Sequence, residues 1–96
     1  MSTYKVSAAT RKIAASLRLT VRPSSNPAKK IDVFQDGVLV ARVGAAGMRD
    51  FHVWKRERGL EYALERRRMY HARHPYDVVT KGGRFTADFL AKALLW

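Results

Sequence analysis

The side chains best suited to chemistry in this chain are cations at helical spacing. Arg66, Arg67 and Arg68 are consecutive. Successive residues of an α-helix point about 100° apart, so the three guanidinium groups fan over a wide arc and cannot all be buried. A guanidinium group binds phosphate and carboxylate oxygens, often through two hydrogen bonds at once. The cluster therefore predicts a surface for an anionic partner.

A solvated helix face is the alternative interpretation of the same cluster. Pairs such as Arg58 with Glu61 and Glu65 with Arg68 have the spacing of surface ion pairs, and each contributes only about 0.3–0.5 kcal/mol. Residues 55–73 hold seven lysines and arginines against three glutamates. Because pairing within the helix cannot absorb that surplus, the binding interpretation is favoured.

Histidine is the one residue type here that offers metal or acid–base chemistry. His71 and His74 lie three residues apart, and His52 stands alone. A zinc site needs three or four protein ligands, so a metal site would require Asp50 and His52 to join this pair. A metal-dependent nuclease built from these four residues is a third hypothesis. We expect instead no metal and no cofactor.

Other catalytic patterns do not occur in the sequence. It has no cysteine, and Gly44-Ala45-Ala46-Gly47 lacks the spacing and the lysine of a phosphate-binding loop. No nucleophile elbow or paired-carboxylate arrangement can be built from the few acids. We therefore expect a protein that is not an enzyme and has no small-molecule substrate.

The net charge of the chain predicts the chemical class of its partner. The 96 residues contain 19 lysines and arginines against eight acids, a formal net charge of +11. Such an excess repels itself and attracts polyanions. Residues 1–30 hold seven basic residues and no acid. No apolar run approaches the roughly 20 residues of a membrane span, so we expect no such span.

A small antiparallel sheet is predicted for the first half of the chain. Apolar and polar residues alternate over residues 17–22, which indicates a half-buried strand. Asp36-Gly37 between the apolar runs 31–35 and 38–43 predicts a hairpin with a type I′ turn. That register places Phe34 opposite Leu39 and Val33 opposite Val40.

Two helices are predicted to pack on the sheet. Apolar residues at helical spacing indicate a long helix over residues 55–73, which should stop at His74 because Pro75 cannot continue it. Thr86 could cap a C-terminal helix with an apolar stripe of Phe89, Ala93 and Trp96, widened by Leu90 and Leu94. Residues 44–54 read as a loop. The fold class is α+β, a single domain over residues 17–96 with about three strands, preceded by a basic arm over residues 1–16, extended or a short helix.

Partner binding is assigned to eleven basic residues, namely Arg11, Lys12, Arg18, Arg22, Lys29, Lys30, Arg56, Arg66, Arg67, Arg68 and Arg73. Aromatic residues are interleaved with the later cations and could stack on unpaired bases; these are Phe51, Trp54, Tyr62, Tyr70 and Tyr76. In so short a chain aromatic residues are also needed for the core. We therefore assign to packing Phe34, Phe51, Tyr70, Phe85, Phe89 and Trp96.

Short motifs along the chain resemble a family of small, uncharacterised basic proteins of nucleocytoplasmic large DNA viruses, phycodnaviruses and their relatives. The motifs occur in the order Lys29-Lys30, Gly44-Ala45, Gly47, Asp50-Phe51, Arg67, Tyr70, Arg73-His74, Thr86-Ala87, Phe89 and Leu94-Leu95-Trp96. The resemblance implies a viral context, in the virion and in the host cytoplasm during assembly. It implies no catalytic residues.

Two functions follow as expectations. The first is a minor structural or capsid protein that binds acidic protein surfaces of the viral shell. The alternative is a nucleic-acid-binding protein that coats or compacts the viral DNA. Both use the cation excess, and they differ in the partner.

Overall fold

The computed structural model describes residues 3–75 and 78–96 and has the predicted α+β architecture. Tyr76 lies outside the described residues. In chain order the elements are α1 (Ala8–Ser16), β1 (Thr20–Pro23), β2 (Lys29–Gln35), β3 (Val38–Ala45), α2 (Phe51–Arg58), α3 (Leu60–Arg73), β4 (Thr80–Lys81), β5 (Arg84–Phe85) and α4 (Ala87–Leu95). Within this described part, no helix is long and apolar enough to cross a membrane.

The main sheet has the antiparallel order β1-β2-β3, and its hairpin is confirmed. Asp36 and Gly37 both have positive φ, 51° and 77°, as a type I′ turn requires. Phe34 lies opposite Leu39 as predicted. The pairing of Val33 with Val40 is wrong, because an irregularity between Val33 and Phe34 shifts the register and places Val33 opposite Ala41.

The first strand is shorter than predicted, although its burial pattern is right. Leu19 and Val21 are buried, whereas Arg22 is exposed. Leu17 belongs instead to the end of α1, where it is the C-cap. Arg18 has φ 60° and turns the chain from helix into strand.

The segment expected to be a basic arm contains a helix that closes the core. Ser7 caps α1 by accepting a hydrogen bond from the Thr10 amide at 3.0 Å. The Thr10 hydroxyl is buried and donates to the Leu94 carbonyl at 2.7 Å. Ala14 is fully buried. Of the two conformations predicted for residues 1–16, extended or a short helix, residues 8–16 adopt the helix, because small apolar residues on one of its faces pack against α4 and β1.

The core lies between the sheet and the helices α1 and α4. Its buried apolar residues are Ala14, Leu19, Val21, Ile31, Val33, Val43, Leu90, Leu94 and Leu95. The Thr86 cap of α4 is confirmed, since its hydroxyl accepts from the Phe89 amide at 3.2 Å. The predicted stripe of α4 is rotated, because Leu90 and Leu94 face the core while Phe89, Ala93 and Trp96 are half-buried.

The predicted long helix is two helices. Asp50 starts α2 by accepting from the Val53 amide at 3.0 Å, so the helix begins at Phe51 rather than at Lys55. Gly59, with φ 90°, then interrupts it before α3. The end of α3 at Arg73 is confirmed. Because α3 packs mainly on α2, its predicted apolar stripe is only partly covered, and Leu60 is 50% exposed.

Gly44 lets the end of β3 approach α4 closely. Its φ is +81°, and a Cβ atom there would lie 2.7 Å from Cδ1 of Leu95 and 3.0 Å from Cδ of Lys30. Both neighbouring side chains are buried. This contact fixes the end of the sheet against the C-terminal helix, which is where the candidate site lies.

Gly44→Ala should therefore lower the free energy of unfolding more than Gly47→Ala does. Gly47 has a similar φ of +88° but open space around the position of a Cβ atom. Both variants carry the strain of a left-handed backbone, about 1–2 kcal/mol, and only the first adds overpacking, about 1–3 kcal/mol. Urea denaturation of the two variants measures the difference. Equal losses would contradict the close contact.

Asp32 is a buried acidic residue in the middle strand, β2. Its carboxylate accepts from the hydroxyl of Ser24 at 2.5 Å and from Nε of Arg42 at 3.2 Å. Burial alone would raise the pKa of Asp32. The hydrogen bonds from Ser24 and Ser25 and the charge of Arg42 outweigh burial and hold this pKa below its ordinary value. The loop after β1 is thereby tied to the sheet.

The depressed pKa predicts the sign of a pH effect. The unfolded chain binds a proton at Asp32 more readily than the folded chain, so stability is lost as the pH falls below about 4. Asp32→Asn should lower stability at neutral pH and make the acid-induced loss shallower. Urea titrations at several pH values measure both. An unchanged pH dependence in the variant would contradict the assignment.

Candidate anion-binding groove

A groove lies where the end of β3, the helices α2 and α3, and the end of α4 meet. We call it the cationic groove. Its volume is about 460 Å³, within the range of about 300–1,000 Å³ typical of ligand sites. The described residues that line it are Lys30, Gly44, Ala45, Gly47, Met48, Arg49, Trp54, Arg66, Tyr70, Arg73, His74, Ala91, Leu95 and Trp96.

One face of α3 supplies the groove's central residues. Arg66, Tyr70 and Arg73 stand at positions i, i+4 and i+7, which lie above one another on a helix. Arg49 reaches the groove from the loop before α2. None of the described lining residues is acidic. The groove is therefore a cationic surface with an aromatic residue between two arginines.

Guanidinium groups lie over rings at this site. Cζ of Arg66 is 5.1 Å from the ring centroid of Trp54, and Cζ of Arg49 is 5.4 Å from it. Arg49 also donates to Glu57 at 2.8 Å, outside the groove lining. Cation–π contacts hold these two side chains beside Trp54, and the ion pair with Glu57 also engages Nε of Arg49.

A column of rings crosses from α3 to α4 beside these cations. The ring centroid of Tyr70 is 4.6 Å from that of Trp96, with 6° between the planes, and 4.3 Å from that of His74, with 27° between them. Two rings cannot both stack on one face of a phenol ring, so Tyr70 lies between the other two. We call this set, His74, Tyr70 and Trp96, the ring column.

A buried ion pair lies next to the groove. Oδ2 of Asp50 accepts from Nζ of Lys30 at 3.0 Å and from the hydroxyl of Tyr4 at 2.7 Å. The Lys30 and Asp50 side chains are 4% and 1% exposed. Burial and the hydrogen bond to Asp50 raise the pKa of the Tyr4 hydroxyl, which keeps it a donor. The pair joins β2 to the start of α2.

The prediction for Lys30 is therefore corrected. Lys30 was predicted to bind a partner, but the residue is 3% exposed and its ammonium group pairs with Asp50 at 3.0 Å, so it lines the groove without being a free cation there. Nothing in the local sequence distinguishes it from Lys29, which is half-buried. The distinction arises because the chain brings Asp50, 20 positions later, to that side of the strand.

The other predicted cations are spread over the surface. Arg66 and Arg73 both line the groove, whereas Cζ of Arg67 lies 4.6 Å from the ring centroid of Phe51. Those exposed but outside the groove lining are Arg11, Lys12, Arg18, Arg22, Arg56 and Arg68. Arg68 pairs with Glu65, as the spacing predicted. Sequence reasoning missed Arg49, while the i, i+4, i+7 spacing of Arg66, Tyr70 and Arg73 was a signal that could have found the face.

The histidines do not form a metal centre in the described part of the chain. There, no group of three or more His, Cys, Asp or Glu side chains is placed to hold a metal ion. Nε2 of His52 is 3.1 Å from the Leu94 carbonyl oxygen. Asp50 is committed to Lys30 and Tyr4, and His74 to the ring column. Three of the four residues of the nuclease hypothesis thus have hydrogen bonds or stacking partners, and the ring centroid of the fourth, His71, is 6.1 Å from that of Tyr70.

Lys30→Met should destabilise the protein strongly, because it leaves the Asp50 carboxylate buried without its cation. Breaking a buried pair in this way costs about 3–5 kcal/mol. Lys29→Met, at the neighbouring half-buried position, is the matched control and should change stability by at most about 0.5 kcal/mol. The free energy of unfolding in urea gives both values. Adding Asp50→Asn to Lys30→Met should restore part of the loss, and a cost below about 1 kcal/mol for the single variant would contradict this role.

Comparisons with protein-family models, with curated proteins and with solved structures find no match. The resemblance to small basic proteins of large DNA viruses therefore stays a prediction, and the residues of the groove are the basis for assigning a function.

Proposed function

We propose that this protein is a non-enzymatic nucleic-acid-binding protein of a large DNA virus particle. The observation that carries the proposal is the cationic groove, which combines three arginines with aromatic rings and has no acid among its described lining residues. Phosphate groups and planar bases together match that combination better than carboxylates alone do.

The rest of the surface supports a polyanionic partner. Exposed ion pairs engage Arg49 with Glu57 and Arg68 with Glu65. Many other cations remain exposed on α1, β1, α2 and α3. Each phosphate contact made by such residues releases counterions, which drives association with DNA at low salt. The groove would orient the nucleic acid, and the surrounding cations would add affinity.

The viral setting belongs to the proposal through the resemblance described above. In that setting the protein acts in the virion, or in the host cytoplasm during assembly, by coating or compacting the viral DNA. No residue has a catalytic role in this proposal.

A minor capsid protein that binds acidic surfaces of the shell is the second candidate. The observation that favours it is the uncovered apolar surface of α3, where Leu60 is 50% and Leu64 is 39% exposed. These residues lie one helical turn apart, so they form one patch. Protein interfaces bury such patches, whereas a phosphate backbone gains nothing from them.

Replacing both arginines on the groove face of α3 should weaken DNA binding in a salt-dependent way. In the variant Arg66→Gln with Arg73→Gln we expect the slope of log affinity against log salt to fall by about two, one for each lost phosphate contact. The matched control, Arg11→Gln with Lys12→Gln on α1, removes the same charge outside the groove and should change the slope less. Fluorescence anisotropy between about 50 and 200 mM salt measures both.

The two candidates give different results in the same preparation. Under the proposal the wild-type protein binds DNA at low salt and separates with the core of fractionated particles. Absence of DNA binding together with stoichiometric recovery in the shell fraction would contradict the proposal and support the capsid candidate. Recovery in neither fraction and no DNA binding would contradict both.

A further inference from the structure

Aromatic rings such as those of the ring column stack on the bases of a single strand more readily than on those of a duplex. In a duplex the faces of the bases are covered by their neighbours, so a protein ring can reach them only where stacking is broken. Unpaired bases expose their faces and stack on aromatic side chains. A groove that presents aromatic rings beside arginines is therefore suited to an unpaired nucleotide.

From this arrangement we infer that the cationic groove holds an unpaired nucleotide, its base against the ring column and its phosphates on Arg66 and Arg73. The inference rests on the proposed function and specifies which form of nucleic acid the groove selects.

The column is held in place before any ligand binds. Trp96 belongs to the end of α4 and Tyr70 to α3, so their stacking joins the two helices. The carbonyl of His74 accepts a hydrogen bond from Nζ of Lys92 on α4 at 2.6 Å, which ties the other end of the column to the same helix. A platform fixed at both ends loses little conformational entropy when a base stacks on it.

The open end of the column is His74. Its side chain is exposed, and one ring face is covered by Tyr70. The opposite face is the position at which a base extends the column by one more ring. Arg73 precedes His74 in the chain and lines the same groove, so a phosphate contact and a stacking contact lie next to each other.

The size of the groove agrees with a single nucleotide. A volume of about 460 Å³ is that of a small-molecule site. Its walls come from β2, the end of β3, the loop before α2, and the helices α2, α3 and α4. The exposed cations elsewhere would bind either form of nucleic acid and give no preference between them.

An abasic oligonucleotide tests the inference directly, because it has the same phosphates as an ordinary single strand and lacks the bases. The wild-type chain should bind a thymidine oligonucleotide about tenfold more tightly than the abasic one of equal length, as expected for base stacking on an aromatic side chain. It should also bind the single strand more tightly than a duplex of that length.

His74→Ala should lower the ratio of the two affinities, because the base loses the ring on which it stacks, and should leave the affinity for the abasic strand unchanged. His71→Ala is the matched control, since His71 is exposed on the same helix and does not line the groove. Arg68→Gln is the control for charge. Both controls should retain the wild-type ratio, and far-ultraviolet circular dichroism with urea denaturation checks that every variant is folded.

The outcomes separate this inference from the proposed function. Equal affinity for the thymidine and abasic strands would overturn the inference and leave DNA binding through phosphates intact. Absence of binding to every oligonucleotide at low salt would overturn both. Displacement of DNA by polyglutamate at equal charge concentration, with no displacement by free thymidine nucleotides, would show a carboxylate site and also overturn the inference.

Discussion

The arrangement of the site depends on the buried pair of Lys30 and Asp50. The Asp50 carboxylate accepts from Lys30 on β2, from Tyr4 near the start of the chain and from the first turn of α2. It thus connects three segments that are distant in the sequence. Desolvating two opposite charges is costly unless the geometry is good and further hydrogen bonds are made. Here both conditions hold, and the position of α2, with α3 packed on it, follows.

Arginine side chains pack against aromatic rings in this protein, a role that apolar side chains have in larger proteins. Arg58 lies over Tyr62 at 4.6 Å and Arg67 over Phe51 at 4.6 Å, in addition to the contacts at Trp54. The α2–α3 pair therefore packs guanidinium planes against rings, and their aliphatic stems cover further apolar surface. Most of the lysines and arginines of this +11 chain are exposed to water, which weakens the repulsion among so many like charges.

Local signals predicted the fold well where they were sufficient by themselves. The Asp36-Gly37 turn, the Thr86 cap and the stop before Pro75 each depend on a few adjacent residues. The predictions were left open or were wrong where a distant contact decides. Residues 8–16 become a packed helix because α4 is present to cover them, and Lys30 is buried because Asp50 reaches it. Of the groove, the face of Arg66, Tyr70 and Arg73 follows from helical spacing, whereas the contributions of Arg49 and Trp96 required the tertiary structure.

The corner between α2 and α3 is built on the backbone of Gly59. It is both the last residue bonded to α2, through its amide to Lys55, and the first bonded to α3, through its carbonyl to Ala63. At φ 90° this corner needs a backbone conformation that glycine adopts readily, and the ring and guanidinium contacts between α2 and α3 complete it. Exposed side chains of both helices can therefore change without disturbing the two hydrogen bonds that define this corner, whereas any residue with a Cβ atom at position 59 would strain it.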